Sequence, residues 1–173
     1  IPTDTQRAFD VLFELPGVSC RVRTCDIEEG TSTIGGARLV VAMTEDFDFE
    51  PFLDADALIL FTLGGIPIRR FTLRLESGAF VRMDENALLF ELHLKPALHF
   101  LRYGTNIRKF RDQTAQQIVS TVLGENGVTF RWDTKRPTTN RPYTVQYRET
   151  HLDFVLRLLE FEGIYFTFDQ DGT

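Results

Sequence analysis

Tyr143-Thr-Val-Gln-Tyr-Arg-Glu-Thr-His-Leu-Asp-Phe-Val-Leu-Arg-Leu-Leu-Glu-Phe-Glu-Gly-Ile-Tyr-Phe-Thr-Phe168 reads as a strand, a capped amphipathic helix, a glycine stop and a second strand. Residues 143–147 predict the first strand. Thr150-His-Leu-Asp153 resembles a capping box with Asp in the place usually held by Glu. The helix that follows lines up Phe154, Val155, Leu158 and Leu159 on one stripe. It is predicted to end at Gly163, since glycine takes the left-handed C-terminal position without steric cost. Residues 164–168 then predict a closing strand. Packing and capping use nearly every position, so little room is left for catalytic groups.

Upstream, Asp112 or Thr114 can cap a helix running to about Leu123 with Ile118, Val119, Val122 and Leu123 as its buried stripe, and Gly124 or Gly127 can end it. A short basic strand over 106–111 precedes this helix, and a strand over 128–132 is predicted to follow. The Pro-containing stretch 136–142 reads as a loop, and residues 96–103 as a short helical turn or connector. Residues 96–173 are therefore expected to form an α+β module of helix–strand–helix–strand order.

Before Pro96 the pattern is all strand and turn. Residues 8–15 and 18–27 flank Pro16-Gly17 and predict a hairpin. The small, polar, glycine-rich run 28–36 has the composition of a mobile loop. Further strands are expected over 38–43, 58–63, 68–77, 80–84 and 87–94, with Gly64-Gly65 and Asp84-Glu85-Asn86 as turns. In the strand 68–77, Phe71, Leu73 and Leu75 fall on one face and Arg70, Thr72, Arg74 and Glu76 on the other. The fold class that follows is α+β: a β-rich, barrel-like module over residues 1–95 and the α+β module over 96–173.

Composition narrows the function. The 173 residues are 43% hydrophobic and include sixteen Phe, ample material for a core. A net charge of −6 and a pI near 5.1 argue against an electrostatic grip on nucleic acid or anionic lipid. No stretch approaches the roughly 20 apolar residues of a membrane-spanning helix. The first residues lack a basic segment followed by an apolar one, so no signal peptide is expected. An opening Ile and a closing Asp171-Gly172-Thr173 just after an apolar strand predict a piece of a longer chain. Two cysteines, Cys20 and Cys25, supply no disulfide framework. Their odd spacing on one strand predicts opposite faces, with a buried thiol and a spectator thiol as the readings.

The opening run resembles the pattern Q-Y-x-E-T/S-x-x-x-F-x-x-R-L-x-E-x-E-G-I-x-Y-x-F of the VgrG spike proteins of type VI secretion systems. Those proteins are relatives of the central hub of contractile phage tails. Residues Leu94-Lys-Pro-Ala-Leu-His-Phe-Leu101 are similar to the family's x-x-x-P-x-L-x-x-L element, and Ile107-Arg-Lys-Phe110 stands at its R-I-F step. Thr114-Ala-Gln-Gln-Ile118 through Gly127 resembles the helix t-x-x-d-I-I-x-x-V-L-x-x-x-G. Five elements in order at family spacing make the match specific over Leu89 to Phe168. The first ninety residues depart from the pattern. Cys25-Asp-Ile-Glu-Glu-Gly-Thr-Ser replaces an F-x-G-x-E-x-x-S step, and residues 71–80 replace an F-x-G-x-V step. A divergent VgrG and a phage or prophage baseplate hub both remain open.

The resemblance implies a structural hub, the base of a membrane-puncturing spike. It implies a homotrimer seated on a hexameric tail-tube protein, with a β-helical needle supplied further along the same chain. It also implies assembly in the cytoplasm followed by injection. No catalytic group, cofactor or metal is implied.

A separate reading of the residues reaches the same place. His93, His99 and His151 match no metal-ligand spacing and read as ordinary structural or surface residues. The acids and aromatics of 46–56 lack the glycine turn and spaced Glu of a calcium loop, and read as a solvated acidic face over a Phe-lined core. Gly64-Gly65 opens no phosphate-binding helix, and no nucleophile elbow occurs. Among the signature residues, Glu149 is expected to favour the helix N-terminus and Tyr147 to bury its ring and bond its hydroxyl. Arg157 is expected to pair with acids on its own face, near Glu160, or across a subunit boundary. Gln146, Tyr147, Glu149, Arg157, Glu160 and Gly163 are thus candidate structural or interface residues. The rival from another class, a small peptidoglycan- or phospholipid-cleaving hydrolase, requires a cleft of convergent titratable groups.

Overall fold

The computed structural model describes residues 9–18 and 20–169. They fall into two compact units that divide at Pro96, the short loop Gly30–Ile34 belonging to the second.

The first unit is a six-stranded antiparallel sheet, curled into a half-barrel. Its strands are β1 (Phe9–Glu14), β2 (Arg21–Glu28), β3 (Gly36–Met43), β4 (Asp56–Leu63), β5 (Ile66–Asp84) and β6 (Ala87–Lys95). They lie in the order β1-β4-β5-β6-β3-β2. Period-two alternation turns Leu39 and Val41, Ala57 and Ile59, Phe71, Leu73 and Leu75, and Phe90, Leu92 and Leu94 into one buried core. The acid-rich run folds over this core as expected. Phe47, Phe49 and Phe52 form an aromatic group against Phe90, while Asp46 and Asp48 accept bonds from the N–H groups of Phe47 and Glu50. Gly78 makes room for this group: a Cβ there would lie 2.6 Å from Cγ of Phe49.

Three local expectations for this unit change. Pro16-Gly17 does turn the chain, with Val18 N–H donating to Leu15 O at 2.9 Å. The turn closes only the single bridge Leu15↔Val18 and not a hairpin. β1 takes its ladder from β4 and β2 takes its ladder from β3, at opposite edges of the sheet. Long-range burial of Phe13 beside the β4 residues outweighs the local turn. The strands expected over 68–77 and 80–84 are one 19-residue strand. It pairs with β4 in its first half and β6 in its second, and bends at bulges carrying Glu76 and Val81. The third change concerns the thiols. A bulge at Arg23 inserts one residue against β3 between Val22 and Thr24, which reverses the parity of β2. Cys20 and Cys25 both pack on the core as a result. Burial pushes each thiol up to about 11, with Asp26 adding to the effect at Cys25.

The second unit begins with a 3-10 helix, Ala97–Tyr103, and repeats one local plan twice. β7 (Thr105–Thr114) runs straight into α1 (Ala115–Glu125), and β8 (Asn140–Thr150) runs straight into α2 (His151–Glu162). Each junction is a threonine still in extended conformation whose hydroxyl caps the new helix. Thr114 Oγ1 accepts from Gln117 N–H at 3.2 Å, and Gln117 Oε1 accepts from Thr114 N–H at 2.8 Å, a complete capping box. Thr150 Oγ1 accepts from Asp153 N–H at 3.0 Å, and its hydroxyl donates to the Asp153 carboxylate at 2.7 Å. Both expected apolar stripes are buried: Ile118, Val119, Val122 and Leu123 on α1, and Phe154, Val155, Leu158 and Leu159 on α2. Gly127 and Gly163 are left-handed, with φ of 66° at each. Thr114→Ala is expected to cost about 1 kcal/mol by removing the cap. The urea midpoint should fall with no change in the slope of the transition.

Two predicted strands join no ladder, and one loop does. Residues 128–132 have no neighbouring strand; Trp132 instead anchors on α1 by donating from Nε1 to Ser120 Oγ at 2.8 Å. Residues 164–168 are likewise outside any ladder, although Ser32 N–H in the glycine-rich loop donates to Phe166 O at 2.8 Å. Asn140, Arg141 and Pro142 belong to β8, not to a loop. Pro142 falls at a position with no registered partner, where its missing N–H costs nothing.

Candidate functional site

The signature residues sit where β7, β8 and the starts and ends of the two helices meet. Alternation along the two strands sends Arg108, Phe110, Thr144 and Gln146 inward, and Ile107, Lys109, Arg111, Tyr143 and Tyr147 outward.

Gln146 is 0% exposed and is the hub of a polar network. Its Oε1 accepts from Arg108 Nε at 3.0 Å, and its Nε2 donates to Glu149 O at 3.2 Å and faces His151 Nδ1 at 3.1 Å. An amide N–H aimed at Nδ1 makes that nitrogen the acceptor and leaves the imidazole proton on Nε2. Burial holds the His151 pKa below its ordinary value, and the positive Arg108 pushes the same way. Arg108 also reaches the carboxylate of Glu125 at the end of α1. His151 N–H donates to Gly104 O at 2.9 Å. Gly104 has no room for a side chain, because a Cβ there would lie 2.5 Å from His151 Cδ2 and 2.9 Å from Nε2. The imidazole is thus held on both edges.

Glu149 and Arg157 form the second part. Arg157 donates from Nε at 3.1 Å and Nη2 at 2.6 Å to the two oxygens of Glu149, and from Nη2 to Val145 O at 3.2 Å. Hydrogen bonding to Glu149 raises the guanidinium pKa. This fork staples α2 to the strand before it. Arg157 therefore pairs with the acid eight residues upstream and not with Glu160 on its own face. A fork to a fixed carboxylate plus a carbonyl satisfies the planar donor set better than one neighbour on the helix surface. Glu160 is exposed, and its carbonyl accepts from Gly163 N–H at 3.0 Å. Gly163 closes α2 as expected.

Tyr147 is the plainest correction among these residues. Its ring was expected inside and is 61% exposed, with the Arg148 guanidinium 5.4 Å from the ring centre. Gln146 occupies the inward position of the strand, so its neighbour must face out. Arg148, at φ 51°, is the extra residue of a bulge that restores the register at Asn106↔Glu149.

Gln146, Glu149 and Arg157 are bonded to one another's strands and helix, while Nη2 of Arg108 is buried without a hydrogen-bond partner. His93 contacts the Glu91 carboxylate at 2.9 Å, and His99 is buried beside Arg102 at 3.3 Å. Among the described residues, no three His, Cys, Asp or Glu side chains are grouped to hold a metal ion. Nor is any helix among them long and apolar enough to cross a membrane. Sequence reasoning missed Arg108 and His151 as members of the network. The signal for Arg108 was present: it shares the inward parity of Phe110, and an inward arginine needs a buried acceptor.

A family model described as phage tail baseplate hub (GPD) matches residues 28–173. Among curated proteins, the type VI secretion system spike protein VgrG4b of Pseudomonas aeruginosa is 31% identical over 134 residues, covering 75% of this chain and 16% of that protein. The actin cross-linking toxin VgrG1 of Vibrio cholerae is 39% identical over 80 residues, 46% of this chain and 7% of the toxin. The chain thus spans under a fifth of either relative. Among solved structures, the E. coli c3393 protein superposes with a TM-score of 0.80 at 23% identity, over 91% of this chain and 45% of that one. It is described as a component of the type VI secretion system with structural similarity to the T4 bacteriophage tail proteins gp27 and gp5. The 43 kDa tail protein of prophage MuSo2 from Shewanella oneidensis gives 0.68 at 16% identity, over 96% and 52%.

Proposed function

The chain belongs to the phage tail baseplate hub family, and we propose that it is the folded base of a contractile-injection spike of the type VI secretion kind. Three copies form a ring that seats on the hexameric tail-tube protein. A needle from further along the same chain extends away from the tube and punctures the target membrane. The ring assembles in the cytoplasm and leaves with the spike. Its work is mechanical, and it carries out no turnover.

The observation that supports a mechanical role best is how the signature's polar groups are used. Gln146, Glu149 and Arg157 are occupied by bonds within the unit that bears them, as expected for parts that must hold shape under load. A hydrolase would instead need such groups free to reach a substrate. The 31% identity to a type VI spike protein over three quarters of the chain favours the secretion branch over a prophage hub.

The test is reconstitution with the tail-tube protein encoded by the same genome. The two proteins mixed and separated by size are expected to co-elute with three copies of this chain per hexameric ring, counted by native mass spectrometry. Failure to bind the rings, or binding of one copy each, would overturn the assignment.

A further inference from the structure

The outward face of the β7–β8 sheet is unlike the rest of this acidic chain. Ile107, Tyr143 and Tyr147 are all more than half exposed there. The register places Ile107 opposite Tyr147, Lys109 opposite Val145 and Arg111 opposite Tyr143. Lys109 Nζ stands 6.0 Å from the Tyr143 ring centre and Arg148 stands over Tyr147. Large rings beside arginines are the composition of an interface centre, because they bury much area at little entropic cost. The charge on the face is positive, although the chain as a whole carries −6.

Its electrostatic complement lies elsewhere in the same sequence. Residues 45–56 hold Glu45, Asp46, Asp48, Glu50, Asp54 and Asp56, with no cation among them. All six are exposed, and so is Leu53 in their midst. Arg74 bonds Asp54 and Asp56 at 3.2 Å each, which leaves the segment strongly negative.

We infer that the β7–β8 face of one copy docks on the 45–56 segment of a second copy. Lys109, Arg111 and Arg148 meet the acids, and the exposed Ile107 and Tyr side chains close around Leu53. The inference rests on the hub reading and says which surfaces build the ring. Because the two surfaces differ, the contact is head-to-tail, and a rotation that closes it yields a ring of identical joints.

Sedimentation equilibrium of the 173-residue chain tests it. The wild type is expected to self-associate, and more weakly in about 0.5 M salt, where charges are screened beyond a few ångströms. Lys109→Glu with Arg111→Glu should weaken association about tenfold or more, as should Glu45→Lys with Glu50→Lys. Combining all four substitutions in one chain should restore it, since the reversed charges then face each other at every joint, and thermal melts should show all three variants folded. Association unchanged in both double variants would overturn the inference and leave the hub reading standing through another surface. A wild type that stays monomeric yet still binds tube rings would sink the docking alone; loss of ring binding as well would take the hub reading with it.

Discussion

Phe154→Ala is expected to destabilise the second unit by about 3–5 kcal/mol, the cost of emptying a buried aromatic site that cannot fully collapse. Phe154 is 0% exposed and stacks on Phe110 with ring centres 5.7 Å apart and planes 18° from parallel. Its ring also lies 5.3 Å from the Arg157 guanidinium. The substitution thus opens a cavity between α2 and the two-stranded sheet, and loosens the arginine that staples them. Against a typical total stability of roughly 5–15 kcal/mol, such a loss is large. The single tryptophan gives the readout, since Trp132 bonds Ser120 on α1 within the same unit. Urea unfolding followed by its fluorescence should show the midpoint collapse. Phe161→Ala serves as the contrast: that ring is 78% exposed, with the Arg141 guanidinium 4.5 Å from its centre, and its loss should stay within about 1 kcal/mol. Equal effects from the two substitutions would mean that α2 is not held by its buried stripe.

What the sequence disclosed about this unit was whatever is encoded locally. Helix stripes, the Thr114 and Thr150 caps and the Gly163 stop depend on side chains three or four residues apart, and each is found where it was expected. Strand existence was less legible, because a strand needs a partner that no local pattern names. Residues 128–132 and 164–168 alternate like strands and join no ladder, whereas the Pro-containing 140–142 joins one because β7 lies beside it. Parity was the least legible property of all. One inserted residue at Arg23 moved Cys25 to the same side as Cys20, and one inward glutamine placed Tyr147 in solvent. Spacing rules assume an unbroken ladder, and a bulge costs only one residue. The candidate site was half visible for the same reason. Gln146, Glu149 and Arg157 stood out as a polar set, but Arg108 and His151 joined them through a strand register that only the folded sheet defines.

Gln146→Met is expected to cost about 2–4 kcal/mol, even though the side chains are of similar size, because the loss is one of partners and not of volume. The methionine would leave Arg108 Nε without its acceptor, and Glu149 O and His151 Nδ1 without their donor. Arg108 would be hit hardest. Its Nη2 is already buried without a hydrogen-bond partner, so the guanidinium would be left with Glu125 as its one polar contact in the network. A half-buried charge that loses an acceptor costs more than a neutral group in the same place, although Glu125 still pairs with it. That asymmetry can be measured. Arg108→Met alone should destabilise, yet in combination with Gln146→Met it should cost less than the sum of the two, by about 1 kcal/mol or more, because the double variant leaves neither Arg108 Nε nor Gln146 Oε1 without its partner. Strict additivity in that cycle would show that Gln146 and Arg108 act independently, and the network would then be a set of separate contacts without a common centre.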